Sequence, residues 1–281
     1  MHMRIRRLLA AVLLAALLAP AVRAQEQPCY VALTFDDGPS GRFTRRLLEE
    51  LAQRRVLATF FLCGYRVEQY QELTAQIASD GHEIGCHGQT HESFRELSQM
   101  ALCSELECSM ERITTAAGQR PTLLRPPGGV FEPERLAQTV CADLPVVLWS
   151  VDPKDWRRSD ADGIAAEVIE AVRPGDIILL HDMSDSSVDA ALTIIDTLQA
   201  RGVEFVTVSE LARRAGTELT AGTAYRSIPF PSEAKNASSS EREAATEPCT
   251  NPAFPPPRPW QAALRRRTSS RRSPVLLARA Y

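Results

Sequence analysis

The sequence predicts an α/β fold in which parallel strands close into a barrel of about seven units. Two observations carry this. Strand-like and helix-like stretches alternate without interruption from residue 25 to residue 228. The strands are near-continuous apolar runs, as strands covered by helices on both faces must be, and some seven repeats fit a barrel better than an open sheet.

The elements follow in order. Residues 30–35 are β-branched and aromatic, and Gly38-Pro39 stops that strand abruptly. Ser40 is placed to cap a helix over 43–54, with Phe43, Leu47, Leu48 and Leu51 on one face. A strand at 58–62 precedes a helix over 67–79 that Asp80-Gly81 ends, and 82–87 is the third strand. A long helix, 97–117, carries Leu102, Leu106, Met110 and Ile113 at helical spacing and stops at Gly118. A short strand, Leu123-Leu124, enters Arg125-Pro126-Pro127-Gly128-Gly129; helix 133–141 and strand 146–151 come next. Helix 161–172, closed by Pro174-Gly175, leads to the fully apolar strand 177–180, then helix 188–200, strand 204–208 and a short helix through Arg213.

Both ends read differently. Within 1–24, Arg4, Arg6 and Arg7 precede an apolar run too short for a bilayer span, and small residues near Ala24 suit signal peptidase. The expectation is a cleaved export signal, with an uncleaved anchor as the alternative, and a protein that is extracellular, wall-associated or periplasmic. Residues 25–228 form one domain. Residues 229–281, rich in Ser, Ala, Glu, Pro and finally Arg, cannot bury enough apolar surface to offset chain entropy and are expected to be a disordered tail.

From residue 25 to 228 there are 19 basic against 31 acidic residues, a net of −12. That argues against nucleic acid as a partner and favours a neutral substrate, or one that becomes cationic. A monomer without a membrane span after signal cleavage is expected. The seven cysteines are odd in number and lack CxxC spacing; they read as small buried apolar residues with one or two bridges, and Cys103 and Cys108 point to different sides of their helix.

The chemistry starts at Asp36-Asp37, on the C-terminal lip of the first strand. Two adjacent carboxylates repel, so the pair implies divided labour, one binding a cation and the other handling a proton. His87 and His91 are four apart, and one helical turn would put both rings on one side. With Asp37 they make a His₂-carboxylate set open to water, the arrangement of catalytic zinc. His82, at the opposite end of its strand, reads as structural.

Five short motifs in this order resemble the NodB-type polysaccharide deacetylases of carbohydrate esterase family 4: Thr34-Phe35-Asp36-Asp37-Gly38-Pro39, His87-Gly88-Gln89-Thr90-His91, Arg125-Pro126-Pro127-Gly128-Gly129, Asp152-Pro153-Lys154-Asp155-Trp156 and Leu179-Leu180-His181. The resemblance implies a distorted (β/α)7-like barrel, one divalent metal ion, usually zinc, and removal of acetyl from N-acetylglucosamine units of an N-acetylated glycan. It gives Asp37, His87 and His91 to the metal, Asp36 to the general base, Arg125 to orienting that base, His181 to the acid and Asp155 to holding that imidazole. Gly128 would lie by the oxyanion, and Trp156 with Leu179 would wall a methyl-sized pocket. Asp152 is left to cap its turn. Taken singly, Arg125 before two prolines reads better as a surface turn, and Trp156 and Leu179 read better as ordinary core.

Two residues depart from the family's pattern. Gly88 stands where many relatives have Ser or Thr, which is expected to loosen the His87–His91 turn; Gly128 stands where many have an aromatic, which would open the groove. Two alternatives accompany the N-deacetylase reading: an O-deacetylase of the acetylxylan esterase type, and a non-catalytic glycan-binding protein that has kept the groove.

Overall fold

The computed structural model describes residues 29–230; the expected signal at 1–24 and the tail beyond 230 lie outside the described residues. The sheet is built from β1 (Cys29–Asp36), β2 (Thr59–Leu62), β3 (Glu83–Cys86), β4 (Leu123–Leu124), β5 (Val146–Val147), β6 (Ile177–His181), β7 (Val203–Val206) and β8 (Ala224–Tyr225). All of the ladders are parallel, in the order β6-β1-β2-β3-β4-β5-β8, with β7 also on β1. After β5 the chain swings back to β6, where Val151 bridges Ile178 and the Leu179 N–H donates to the Val151 carbonyl at 2.9 Å. That bridge, with the antiparallel one between Asp176 and Ser227 just past β8, curls the sheet into a distorted barrel. The strand expected over 146–151 is therefore two paired residues and a return bridge.

The helices are α1 (Arg42–Arg54), α2 (Gly64–Gln69), α3 (Gln71–Ser79), α4 (Gln99–Ala117), α5 (Pro133–Leu136), α6 (Ala161–Ala171), α7 (Asp185–Ala200) and α8 (Val208–Ala215). Three differ from expectation for local reasons. The helix expected over 67–79 breaks at Tyr70, whose φ of −133° and ψ of 51° leave the helical region. Helix 133–141 stops at Leu136. Ser40 does not cap α1; its own N–H donates to the Thr44 hydroxyl at 2.6 Å, and Gly41 takes the cap position without a side-chain bond.

Side chains alternate across the strands. On the outer face Val31, Leu33, Phe35, Phe60 and Leu62 pack with the helices in one large core. On the inner face Ala32, Phe61, Leu123, Val147 and Ile177 pack against α8, which plugs the bottom of the barrel with Val208, Leu211, Ala212 and Ala215. Above that plug the inner face turns polar, and the site begins there. Cys63, Cys86, Cys103, Cys108 and Cys141 are unbridged; three of them are fully buried, as small apolar residues are.

Candidate active site

Parallel strands deliver their C-terminal ends to one side, and four of them supply the site. Asp36 closes β1 and pairs in register with His181, which closes β6. His87 directly follows β3 and Arg125 directly follows β4; the Arg125 N–H donates to the Cys86 carbonyl at 2.9 Å, which ties the two exits together.

Asp37 sits in the left-handed region, φ 72°, which turns its carboxylate back over the barrel mouth. Its Oδ1 lies 3.3 Å from His87 Nε2 and 3.2 Å from His91 Nε2. The His87 Nδ1–H donates to the Arg125 carbonyl at 2.7 Å, which leaves the Nε2 lone pair aimed at Asp37. Asp37 Oδ1 is buried and accepts no hydrogen bond of standard geometry. An orphaned carboxylate oxygen facing two imidazole nitrogens is what a divalent cation satisfies, and the three donor atoms lie within 4.8 Å of one another. The donor set fits such an ion, and His91, 44% exposed, leaves one side open to water. Burial alone would raise the Asp37 pKa; the two imidazoles of His87 and His91 beside it outweigh that and hold the carboxyl well below the usual range.

The two histidines do not lie on a helical turn. Residues 87–92 form an irregular loop in which Gly88 (φ 81°) and His91 (φ 68°) are both left-handed, and this conformation brings the ring centroids to 5.1 Å. Nor is the loop loosened by Gly88. Glu105, buried on α4, accepts from the Gln89 N–H at 2.8 Å, the Thr90 N–H at 2.6 Å and the Thr90 hydroxyl at 3.0 Å. A Cβ on residue 88 would stand 3.0 Å from that carboxylate and 3.2 Å from Phe94, so glycine is what the clamp accommodates.

Arg125 is fully buried in the polar layer below. Its Nη1 donates to Asp36 Oδ1 at 2.7 Å and to the Thr34 hydroxyl at 2.8 Å, while Nε and Nη2 donate to the Val147 and Leu148 carbonyls at 3.0 and 2.9 Å. The guanidinium lies 4.0 Å over the Phe61 ring. Asp36 is thereby aimed upward, its Oδ2 3.7 Å from His87 Nε2.

Across the mouth, Asp155 begins a 3₁₀ turn over Asp155–Arg157 and binds His181 twice: Oδ1 to Nδ1 at 2.8 Å, and Oδ2 from the backbone N–H at 2.9 Å. Burial would lower the His181 pKa, but the Asp155 hydrogen bond and charge, with Asp36 and Asp37 nearby, raise it to about 9. Asp152 caps its turn as expected, accepting the Lys154 N–H at 2.9 Å. The cleft, about 420 Å³, is lined by all of Asp36, Asp37, His87, His91, Gly128, Trp156, Leu179 and His181. Leu179 is a buried wall; Trp156 is not, being 60% exposed at the rim, because the 3₁₀ turn points it outward. His82 lies elsewhere, accepting the Ala58 N–H through Nδ1, and burial lowers its pKa to about 4. A groove of about 510 Å³ beside Arg42, Arg45 and Tyr70 lies outside this cluster.

Several supporting residues escaped the sequence reading. Glu105 shares the α4 face of Leu102 and Ser109, and a carboxylate on a buried face was the available signal. Asp182, directly after His181, is fully buried against Gly38; one oxygen accepts from the Thr44 hydroxyl, the other has no partner, and burial raises its pKa to about 6. Trp149, Lys154 and Arg157 also line the cleft.

Fold and cluster together define an α/β-barrel protein with an open His₂-carboxylate cleft at the C-terminal ends of its strands. The family profile for Polysaccharide deacetylase matches residues 23–147. The chain is 36% identical over 196 residues to the chitooligosaccharide deacetylase of Bradyrhizobium sp. (strain ANU 289), which covers 64% of this chain and 90% of that protein. The chain belongs to the polysaccharide deacetylase family. It is also 37% identical over 181 residues to the peptidoglycan-N-acetylmuramic acid deacetylase PdaC of Bacillus subtilis (strain 168), covering 64% of this chain but only 38% of that protein's length. Among solved structures, a family 4 acetyl xylan esterase from Clostridium thermocellum, in complex with a cobalt ion, superimposes with a TM-score of 0.66 at 36% identity, covering 72% of this chain and all of the esterase.

Proposed function

We propose that the protein is an exported, metal-dependent deacetylase that hydrolyses the N-acetyl group of N-acetylglucosamine units in peptidoglycan or chitin oligosaccharides and releases acetate. The observation that carries this reading is the convergence of Asp36, Asp37, His87, His91 and His181 on one cleft. The deacetylase relatives and the apolar, Arg-led N-terminus support it.

Asp37, His87 and His91 hold the divalent ion, zinc by the chemistry of the donor set, and a bound ion supplies polarisation of the amide carbonyl and acidification of water. Asp36, held by Arg125, accepts the proton of the attacking water. The backbone by Gly128 faces the developing oxyanion. An amide leaves poorly as an anion, so His181, kept protonated at neutral pH by Asp155, delivers a proton to the nitrogen and free amine departs. Leu179 excludes water beside the acetyl methyl.

The test is acetate release from peptidoglycan, chitin oligomers and acetylxylan by protein of measured metal content, with and without chelator. Chelator-sensitive release from an N-acetylated glycan is expected; none from either would end the proposal. The likeness to the acetyl xylan esterase favours a second reading, O-deacetylation. Esters need less leaving-group protonation, so under that reading His181→Ala would be tolerated far better on the ester than on the amide, and equal loss on both would count against it.

A further inference from the structure

Of the cysteines buried in the core, two meet. Cys86 ends β3, directly before His87, and Cys141 lies in the irregular stretch between α5 and β5. Their thiols are within hydrogen-bonding reach of each other, and the Ser109 hydroxyl of α4 stands 3.4 Å from the Cys86 sulfur. The Cys63 and Cys103 thiols face carbonyls instead, those of His87 at 3.8 Å and Gln138 at 3.5 Å.

Backbone bonds fix both members of the pair. The Arg125 N–H donates to the Cys86 carbonyl at 2.9 Å and the Leu144 N–H to the Cys141 carbonyl at 3.0 Å, while Leu124 of β4 pairs with Cys86 on one side and Val146 on the other. Thiols held this close need only a small side-chain shift to bond. What lies between them in sequence gives the contact its meaning: residues 87–140 include His87, His91, Arg125 and Gly128. A covalent tie at the two ends of that segment closes it into a long loop, which restricts the unfolded chain far more than the folded one.

We infer that Cys86 and Cys141 are a disulfide site: in an oxidising compartment they join, and the bond clamps the ends of the segment that carries His87, His91 and Arg125. Export, as proposed above, delivers the chain to such a compartment. The oxidant is itself a disulfide, of a small thiol or of a protein thiol oxidase. One cysteine thiolate attacks it, expels one of its sulfurs and forms a mixed disulfide; the second cysteine attacks the first cysteine's sulfur and expels the other. One S–S bond is traded for another, and the oxidant leaves as two thiols carrying the two electrons and two protons. Because both sulfurs are buried, the exchange takes place while the chain folds, and the finished bond is shielded from thiols in solution. The inference is independent of the deacetylase reading, and either can fail alone.

The test refolds the full chain from denaturant in two buffers, one holding oxidised and reduced glutathione, the other excess dithiothreitol. Remaining thiols are alkylated, the protein is digested without reduction, and the peptides are weighed. A peptide pair joined through Cys86 and Cys141 is expected from the first buffer and not from the second. Dithiothreitol added to the folded, oxidised protein leaves the pair joined; with denaturant present it releases both. In metal-stripped protein the oxidised-minus-reduced difference in Tm is expected to be larger by about 5–15 °C in the wild type than in Cys141→Ala. Should that variant not fold, the peptide map of the wild type decides. Alkylated Cys86 and Cys141 in the oxidised sample, either one joined to a different cysteine, or a Tm difference as large in Cys141→Ala as in the wild type overturns the inference.

Discussion

At the scale of single residues, the site depends on charges fixed by buried partners. Arg125, fully buried, holds Asp36 through one charged hydrogen bond and is itself fixed by three more, to the Thr34 hydroxyl and the Val147 and Leu148 carbonyls. Arg125→Met would fit the volume but strand a buried carboxylate, at a cost of about 3–5 kcal/mol, read as a drop in the denaturant midpoint at constant slope. His181 makes a different prediction. Its imidazolium persists up to about pH 9 because Asp155 holds it, so kcat should fall as pH rises through that value, when the acid is lost. Asp155→Asn removes the charge and keeps the shape; the alkaline limb of the kcat profile should move towards the ordinary imidazole range, and kcat at neutral pH should fall by about 10²-fold or more. An alkaline limb that stays in place in Asp155→Asn would exclude His181 as the acid.

At the scale of elements, most of the plan was legible because apolar strands and amphipathic helices leave periodic signals. Both β1 and β6, with the carboxylate and imidazole at their ends, stand where the pattern puts them, to within a residue or two. The misreadings share a cause: where tertiary hydrogen bonds replace periodic ones, spacing no longer reports geometry. His87 and His91 are four apart by coincidence of a left-handed loop, and what shapes that loop is Glu105, distant in sequence on α4. Trp156 lines the cleft from its rim, 60% exposed, because the 3₁₀ turn over Asp155–Arg157 points it outward. Glu105 therefore supports a prediction at this scale. Glu105→Ala leaves the Gln89 and Thr90 N–H groups without their acceptor, a loss of about 1–3 kcal/mol, and lets the ligand loop relax. Metal affinity, measured by competition with a chromophoric chelator, should weaken by about 10–100-fold, the usual effect of losing a group that orients ligands. Gly88→Ser should not restore a tighter loop; with φ 81° and the clamp 3.0 Å away, it should destabilise the protein.

At the scale of the whole molecule, the barrel joins structural stability to ion binding. β1 is the hub, flanked by β2, β6 and β7, and its last residue, Asp36, and the next, Asp37, stand at the mouth. The far side of the barrel closes through two isolated bridges, Asp176 to Ser227 and Val151 to Ile178, the latter next to Leu179 and the Asp155 turn. The ligands come from the exits of β1 and β3, which the unfolded chain does not hold together, so an ion binds the native state and raises its stability by mass action. At free zinc about 100-fold above its Kd, the gain is about 2.7 kcal/mol, or several degrees in Tm for a domain of this size. Calorimetric scans of stripped protein across a zinc titration should show Tm rising with the logarithm of free metal, and His91→Ala should flatten the rise without lowering the metal-free Tm much, because that ring is half exposed. A metal-free Tm that does not respond to zinc would mean that the three side chains do not form a site, however well their atoms converge.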